Sequence, residues 1–110
     1  RRIERDPGDT RIVTSYGSVY RSSFGARIEE RYDGEVGVST DDPGSAWVRA
    51  TSVYRIAWPE AVVATEARLD LRSDTDMYHV VVDVVAEEEG AGGIGRIERR
   101  FERTIPRRLQ

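Results

Sequence analysis

The sequence predicts an all-β chain, an antiparallel meander forming a curved sheet or a jelly-roll-like β-sandwich. Three observations carry that expectation. Apolar residues recur with period two in segment after segment, the spacing that sends alternate side chains to opposite faces of a strand. Short breaks rich in Pro, Gly, Asp and Ser separate those segments. No stretch carries the apolar i, i+3, i+4 pattern of an amphipathic helix.

Taken in order, residues 1–10 are polar, hold Pro7, Gly8 and Asp9, and read as linker-like. Arg11 to Val13 and Val19 to Phe24 are short strand candidates that offer themselves as the second layer of a sandwich; a neighbouring domain is the other candidate for that layer. Ile28, Glu30, Tyr32, Val36 and Val38 then share one phase, with Arg27, Glu29, Arg31 and Asp33 on the other. Asp41-Asp42-Pro43-Gly44 is a turn, because Pro presets φ and Gly accepts the positive φ that other residues resist.

From Ala46 to Trp58 the apolar phase is Ala46, Val48, Ala50, Ser52, Tyr54, Ile56 and Trp58. After the break at Pro59-Glu60, Ala61, Val63, Thr65, Ala67, Leu69 and Leu71 alternate with Val62, Ala64, Glu66, Arg68, Asp70 and Arg72. Ser73 to Asp76 turns the chain through side chains short enough to bond nearby backbone. Tyr78, Val80, Val82, Val84 and Ala86 continue the apolar phase, and Glu87 to Gly93 reads as an acidic hairpin loop. The last strand, Ile94 to Ile105, puts Ile97, Phe101 and Ile105 on one phase. One face therefore buries against something, and the other carries an Arg/Glu lattice in water.

At 110 residues the chain is one domain's length, residues 1–110. It begins at Arg1 and its only Met is Met77, which N-terminal trimming or excision from a longer polypeptide would explain; the favoured expectation is a segment of a longer polypeptide. Seventeen Arg and no Lys against twenty acidic residues give a net charge of −3. That balance speaks against general nucleic-acid binding, which needs a basic field. No window of eighteen apolar residues and no signal-peptide pattern occurs, so the expectation is a cytoplasmic chain with no membrane partner. Without Cys there is no disulfide, thiolate nucleophile or thiolate metal ligand.

Few residues offer chemistry. His79 is the only imidazole, and Asp83 on its strand is about 13 Å away, outside hydrogen-bond reach. A small enzyme would need His79 beside a cross-strand Asp70 or Glu66, and ranks last among the readings. No Ser lies in a G-x-S-x-G elbow; Gly44-Ser45-Ala46 enters a strand where an elbow feeds a helix. Asp41 with Asp42, and Asp74 with Asp76, read as turn chemistry rather than a calcium site. Gly92-Gly93-Ile94-Gly95 lacks the following helix of a phosphate cradle. The expectation is no metal and no cofactor. Trp58 and Tyr54 share the apolar phase and read as core, whereas Trp47 falls on the other phase. Arg99 and Arg103 share the phase of Ile97 and Phe101, so either their strand is an edge whose inner face is partly open, or, the favoured expectation, they meet carboxylates of another layer or an interface.

Four short motifs in order carry a resemblance: Asp41-Asp42-Pro43-Gly44-Ser45-Ala46, then Val62 to Leu71, then Ser73-Asp74-Thr75-Asp76-Met77-Tyr78-His79-Val80, and last Thr104-Ile105-Pro106-Arg107. Residues 40 to 108 resemble the C-terminal region of actinobacterial CocE/NonD-type serine hydrolases, the Xaa-Pro dipeptidyl-peptidase and cocaine-esterase group. The resemblance implies a non-catalytic, jelly-roll-like β-domain that packs on the α/β-hydrolase catalytic domain of the same polypeptide and shapes its active-site entrance. It places the catalytic triad in that other domain and assigns no catalytic residue here. The alternative is a free-standing β-domain that holds a small apolar ligand among Tyr54, Ile56, Leu69, Val80 and Val82.

Overall fold

The computed structural model describes residues 2–6, 8–22, 25–42 and 44–107. Ser23, Phe24, Pro7 and Pro43, which figure in the sequence expectations above, lie outside that set. Seven strands form one antiparallel sheet: β1 (Arg2–Asp6), β2 (Asp9–Arg21), β3 (Arg27–Ser39), β4 (Ala46–Ala57), β5 (Ala61–Ser73), β6 (Met77–Gly90) and β7 (Gly93–Pro106). Their spatial order is their chain order, so the sheet is a pure meander.

The register carries the period-two pattern straight across the sheet. Ile3, Ile12, Val36, Val48, Leu71, Val80 and Arg103 form one transverse row. The next row on that face is Thr14, Gly34, Ala50, Leu69, Val82 and Phe101. Directly paired residues project to the same side of the sheet, so the apolar phases of all strands combine into one continuous face. The opposite face takes the other phase, with rows such as Asp33, Thr51, Arg68, Asp83 and Arg100.

Three local expectations are corrected. Residues 2–6, within the linker-like stretch, form β1, because their alternation registers against Thr10–Val13. The N-terminal strand candidates do not make a second layer: Asp9–Arg21 is one strand, laddered along its whole length to β3 in the same sheet. Glu87 to Glu89 belong to β6, and the hairpin closes through Ala91 and Gly92 between the paired Gly90 and Gly93. The acidic run stays in the strand because Glu87 has Arg96 directly opposite as a counter-charge.

The result is a single layer. Among the described residues the only buried apolar side chains are Ala26 and Ile28. The radius of gyration is 18.2 Å, against about 13 Å for a compact domain of this length. The accessible surface is 8180 Å², roughly 2,000 Å² above that of a typical folded monomer of 12.4 kDa. That surplus is the size of surface a second layer covers.

Candidate functional site

The charged face neutralises itself. Glu35 accepts from Trp47 Nε1 at 2.8 Å and faces Arg49 at 3.7 Å and Arg11 at 3.6 Å. Arg31 pairs with Asp33 at 3.0 Å, Arg68 with Glu66 at 3.1 Å and Arg100 with Glu102 at 2.7 Å. Arg96 holds both Glu87 and Glu98. Such exposed pairs are screened by solvent and contribute little to stability, and they leave no net sign to attract a charged ligand. The shallow depression of about 460 Å³ at the centre of this face is lined by both signs, Arg49 and Arg68 against Asp33, Asp70 and Asp83.

His79 sits at one end of that face. Its Nε2 lies 3.0 Å from Asp74 Oδ2. The carboxylates considered for it from sequence are engaged elsewhere: Asp70 faces Arg72 at 3.5 Å and Glu66 holds Arg68. Asp74 also accepts from the amides of Asp76 at 2.9 Å and Met77 at 2.8 Å. The His79 hydrogen bond first, and then those two amides, hold the Asp74 carboxyl at about 2, below its ordinary 3.8. Among the described residues Asp74 is the only side-chain hydrogen-bond partner of His79; Thr104, its register partner on β7, makes no hydrogen bond to the ring.

The same end of the sheet is clasped by Arg107. Its Nη1 donates to the carbonyls of Gly44 at 3.0 Å and Asp74 at 2.7 Å. Its guanidinium stands over the Tyr78 ring, 5.4 Å from the centroid, and its amide donates to Asp76 O at 2.8 Å. Ser73 Oγ completes the junction, donating to Gly44 O at 2.8 Å and accepting from Ala46 N at 3.1 Å. Three of the four stretches that carry the family resemblance therefore meet in space. The Asp42 carboxylate caps the amide of Gly44 at 3.1 Å, which is the turn role expected of it.

The apolar face is the larger feature. Among the described residues ten of the twelve exposed large hydrophobics lie on it, all except Val19 and Ile94. Tyr54, Ile56, Leu69, Val80 and Val82 share this face on β4, β5 and β6, but among the described residues no layer lies above them to close a cavity. An open depression of about 480 Å³ lies beside Val80, Val82, Phe101 and Ile105. Arg99 and Arg103 are on the same face, on the edge strand β7. Arg99 donates to the Glu98 carbonyl at 2.7 Å, and among the described residues neither guanidinium reaches a carboxylate.

The face divides by chemistry. Across β4 to β7 it is aliphatic, built on Val63, Leu69, Leu71, Val80, Val82 and Val84 with Phe101. Across β2 to β4 it is tyrosine-rich, with Tyr16, Tyr20, Tyr32 and Tyr54. Glu30 stands among those tyrosines, and sequence reasoning passed over it although it interrupts the apolar phase of its strand. Against family models, curated proteins and solved structures alike, the chain finds no match.

Proposed function

We propose that this chain is a non-catalytic β-layer that docks its aliphatic face on a larger protein body. Within that reading it is the C-terminal β-domain of a CocE/NonD-like serine hydrolase. The aliphatic side packs on the α/β-hydrolase domain of the same polypeptide, and the tyrosine-rich margin borders the active-site entrance. The observation that carries the docking role is the uncovered apolar face, with its surplus of roughly 2,000 Å² of accessible surface. Stable interfaces bury about 800 Å² on each partner, so the face has area to spare. What favours the hydrolase reading is the resemblance itself, together with the convergence of Gly44, Ser73, Asp74 and Arg107 into one clasp.

Two measurements test it. The isolated chain, offered acyl esters and Xaa-Pro peptides, is expected to show no turnover; turnover abolished by His79→Ala overturns the non-catalytic reading. In the longer polypeptide, Val82→Asp is expected to release the β-layer, seen as new protease cleavage at its boundary. Unchanged protection in that variant overturns the docking reading.

A further inference from the structure

Glu30 is a carboxylate on the wrong face for the lattice that neutralises every neighbour of its kind. On β3 its register partners are Ser18 of β2 and Tyr54 of β4. Tyr16 and Tyr20 are its diagonal neighbours on β2, within about 7–8 Å and so within reach of long side chains. The Tyr20 hydroxyl donates to Glu30 Oε1 at 3.1 Å. Glu30 and Tyr54 together push the Tyr20 hydroxyl's pKa up, after the larger effect of its partial burial. The Tyr20 phenol is therefore held in its neutral, hydrogen-bond-donating form beside the Glu30 carboxylate.

Among the described residues no cation serves that carboxylate. Arg27 and Arg31, its sequence neighbours, project to the opposite face and pair there with Glu29 at 3.1 Å and Asp33 at 3.0 Å. Among the described residues the nearest guanidinium row on its own face is Arg99, four strands away, about 19 Å. Among the described residues Glu30 has no ion pair. A carboxylate with faces of aromatic rings beside it attracts an organic cation twice over, by charge and by the ring quadrupole. Sugars and neutral apolar ligands gain nothing from the charge.

We propose that Glu30, with Tyr16, Tyr20 and Tyr54, is a binding site for the cationic group of an organic amine or guanidine. The carboxylate supplies the charge and the phenol rings supply the walls. Ser18 offers a hydroxyl to a cation that still carries N–H. The site is read from this chain alone and stands or falls separately from the hydrolase reading.

Titration of the full chain with benzyltrimethylammonium, followed through the tyrosine ring resonances, tests it. Saturable shifts confined to Tyr16, Tyr20 and Tyr54 are expected, with none from the neutral analogue benzyl alcohol at the same concentrations. Glu30→Gln retains an acceptor for Tyr20 and is expected to weaken binding at least tenfold with the circular dichroism spectrum unchanged. N-acetylarginine amide forms the second arm: if it binds more tightly than the quaternary cation, the natural ligand is a peptide side chain, and the reverse order identifies a small-molecule amine. Equal binding of benzyl alcohol, or undiminished binding by Glu30→Gln, overturns the proposal. Should Glu30→Gln lose its fold, Tyr54→Leu, which removes a ring and leaves the carboxylate, takes its place with the same expectation.

Discussion

The indole of Trp47 lies flat over the backbone of Gly37, its direct partner across the β3–β4 ladder. A Cβ at position 37 would sit 2.5 Å from Trp47 Cε2, so only glycine admits the ring there. The seat also aims the indole N–H at Glu35, 2.8 Å away, and puts the ring under the Arg49 guanidinium, 6.0 Å from its centroid. Tyr32 uses Gly34 in the same way on the opposite face, where a Cβ would lie 2.8 Å from the phenol Cζ. A single strand thus carries two glycine seats, one per face.

Gly37→Ala is expected to evict the indole and cost about 1–3 kcal/mol, the range for forcing a methyl into filled space. Urea denaturation gives the loss. The Trp47 indole proton resonance should move toward the position of a free indole, since the bond to Glu35 cannot survive the displacement.

Arg107→Ala removes two charge-assisted bonds to the carbonyls of Gly44 and Asp74 and the contact with Tyr78. The expected cost is about 1–3 kcal/mol, localised to one end of the sheet. Hydrogen exchange checks the localisation: amides of Ser45, Met77 and Thr104 should exchange faster, while those at the Gly90 end keep their protection. Arg107→Lys should rescue it only in part: one ammonium can donate to both carbonyls, as Nη1 does, but it lacks the planar guanidinium that stacks on the Tyr78 ring.

Asp74 makes the stability of that end depend on acid. Its carboxyl is lowered in the folded chain to about 2 from 3.8, so the folded state favours the ionised form. The stabilisation is then fully present above pH 3.8 and is lost as the pH falls through about 2. Urea midpoints of the natural chain and of Asp74→Asn should differ near neutrality and converge across that window. A gap that persists below it would contradict the assignment.

Phe101 separates the free layer from the docked one. It is 60% exposed on the apolar face of the isolated sheet, so Phe101→Ala there should change stability by no more than about 0.5 kcal/mol. Beneath a partner layer the same truncation is expected to cost about 3–5 kcal/mol. Paired denaturation curves of the isolated chain and of the proposed longer polypeptide read the difference directly.

The phases of β3 to β7 were legible in the sequence because those strands are long and alternate over most of their length. Tyr54, Ile56, Leu69, Val80 and Val82 fall on one face, as do Arg99 and Arg103 with Phe101. What alternation does not encode is which residue stands opposite which. The Trp47–Gly37 seat is a product of register, and so is the placing of Glu30 between Ser18 and Tyr54. His79 found its acid in Asp74, five residues back across a turn, because a turn folds the chain onto itself where strand spacing keeps residues apart. The one signal available for the tyrosine site was Glu30 itself, a charge in the apolar phase of an otherwise regular strand. The first strand was missed because five polar-rich residues beside a Pro-Gly pair have the composition of a linker.

Among the described residues each strand touches only the strands before and after it in the chain. Cohesion is therefore one-dimensional, as in a solenoid array, with every hairpin leaning on its nearest neighbours alone. Trimming from either terminus should peel away strands in sequence and leave the remaining ladder intact, so that the length of the layer is adjustable by genetic truncation. Contacts of such short chain separation also close small loops, which favours quick zippering from any hairpin that forms first.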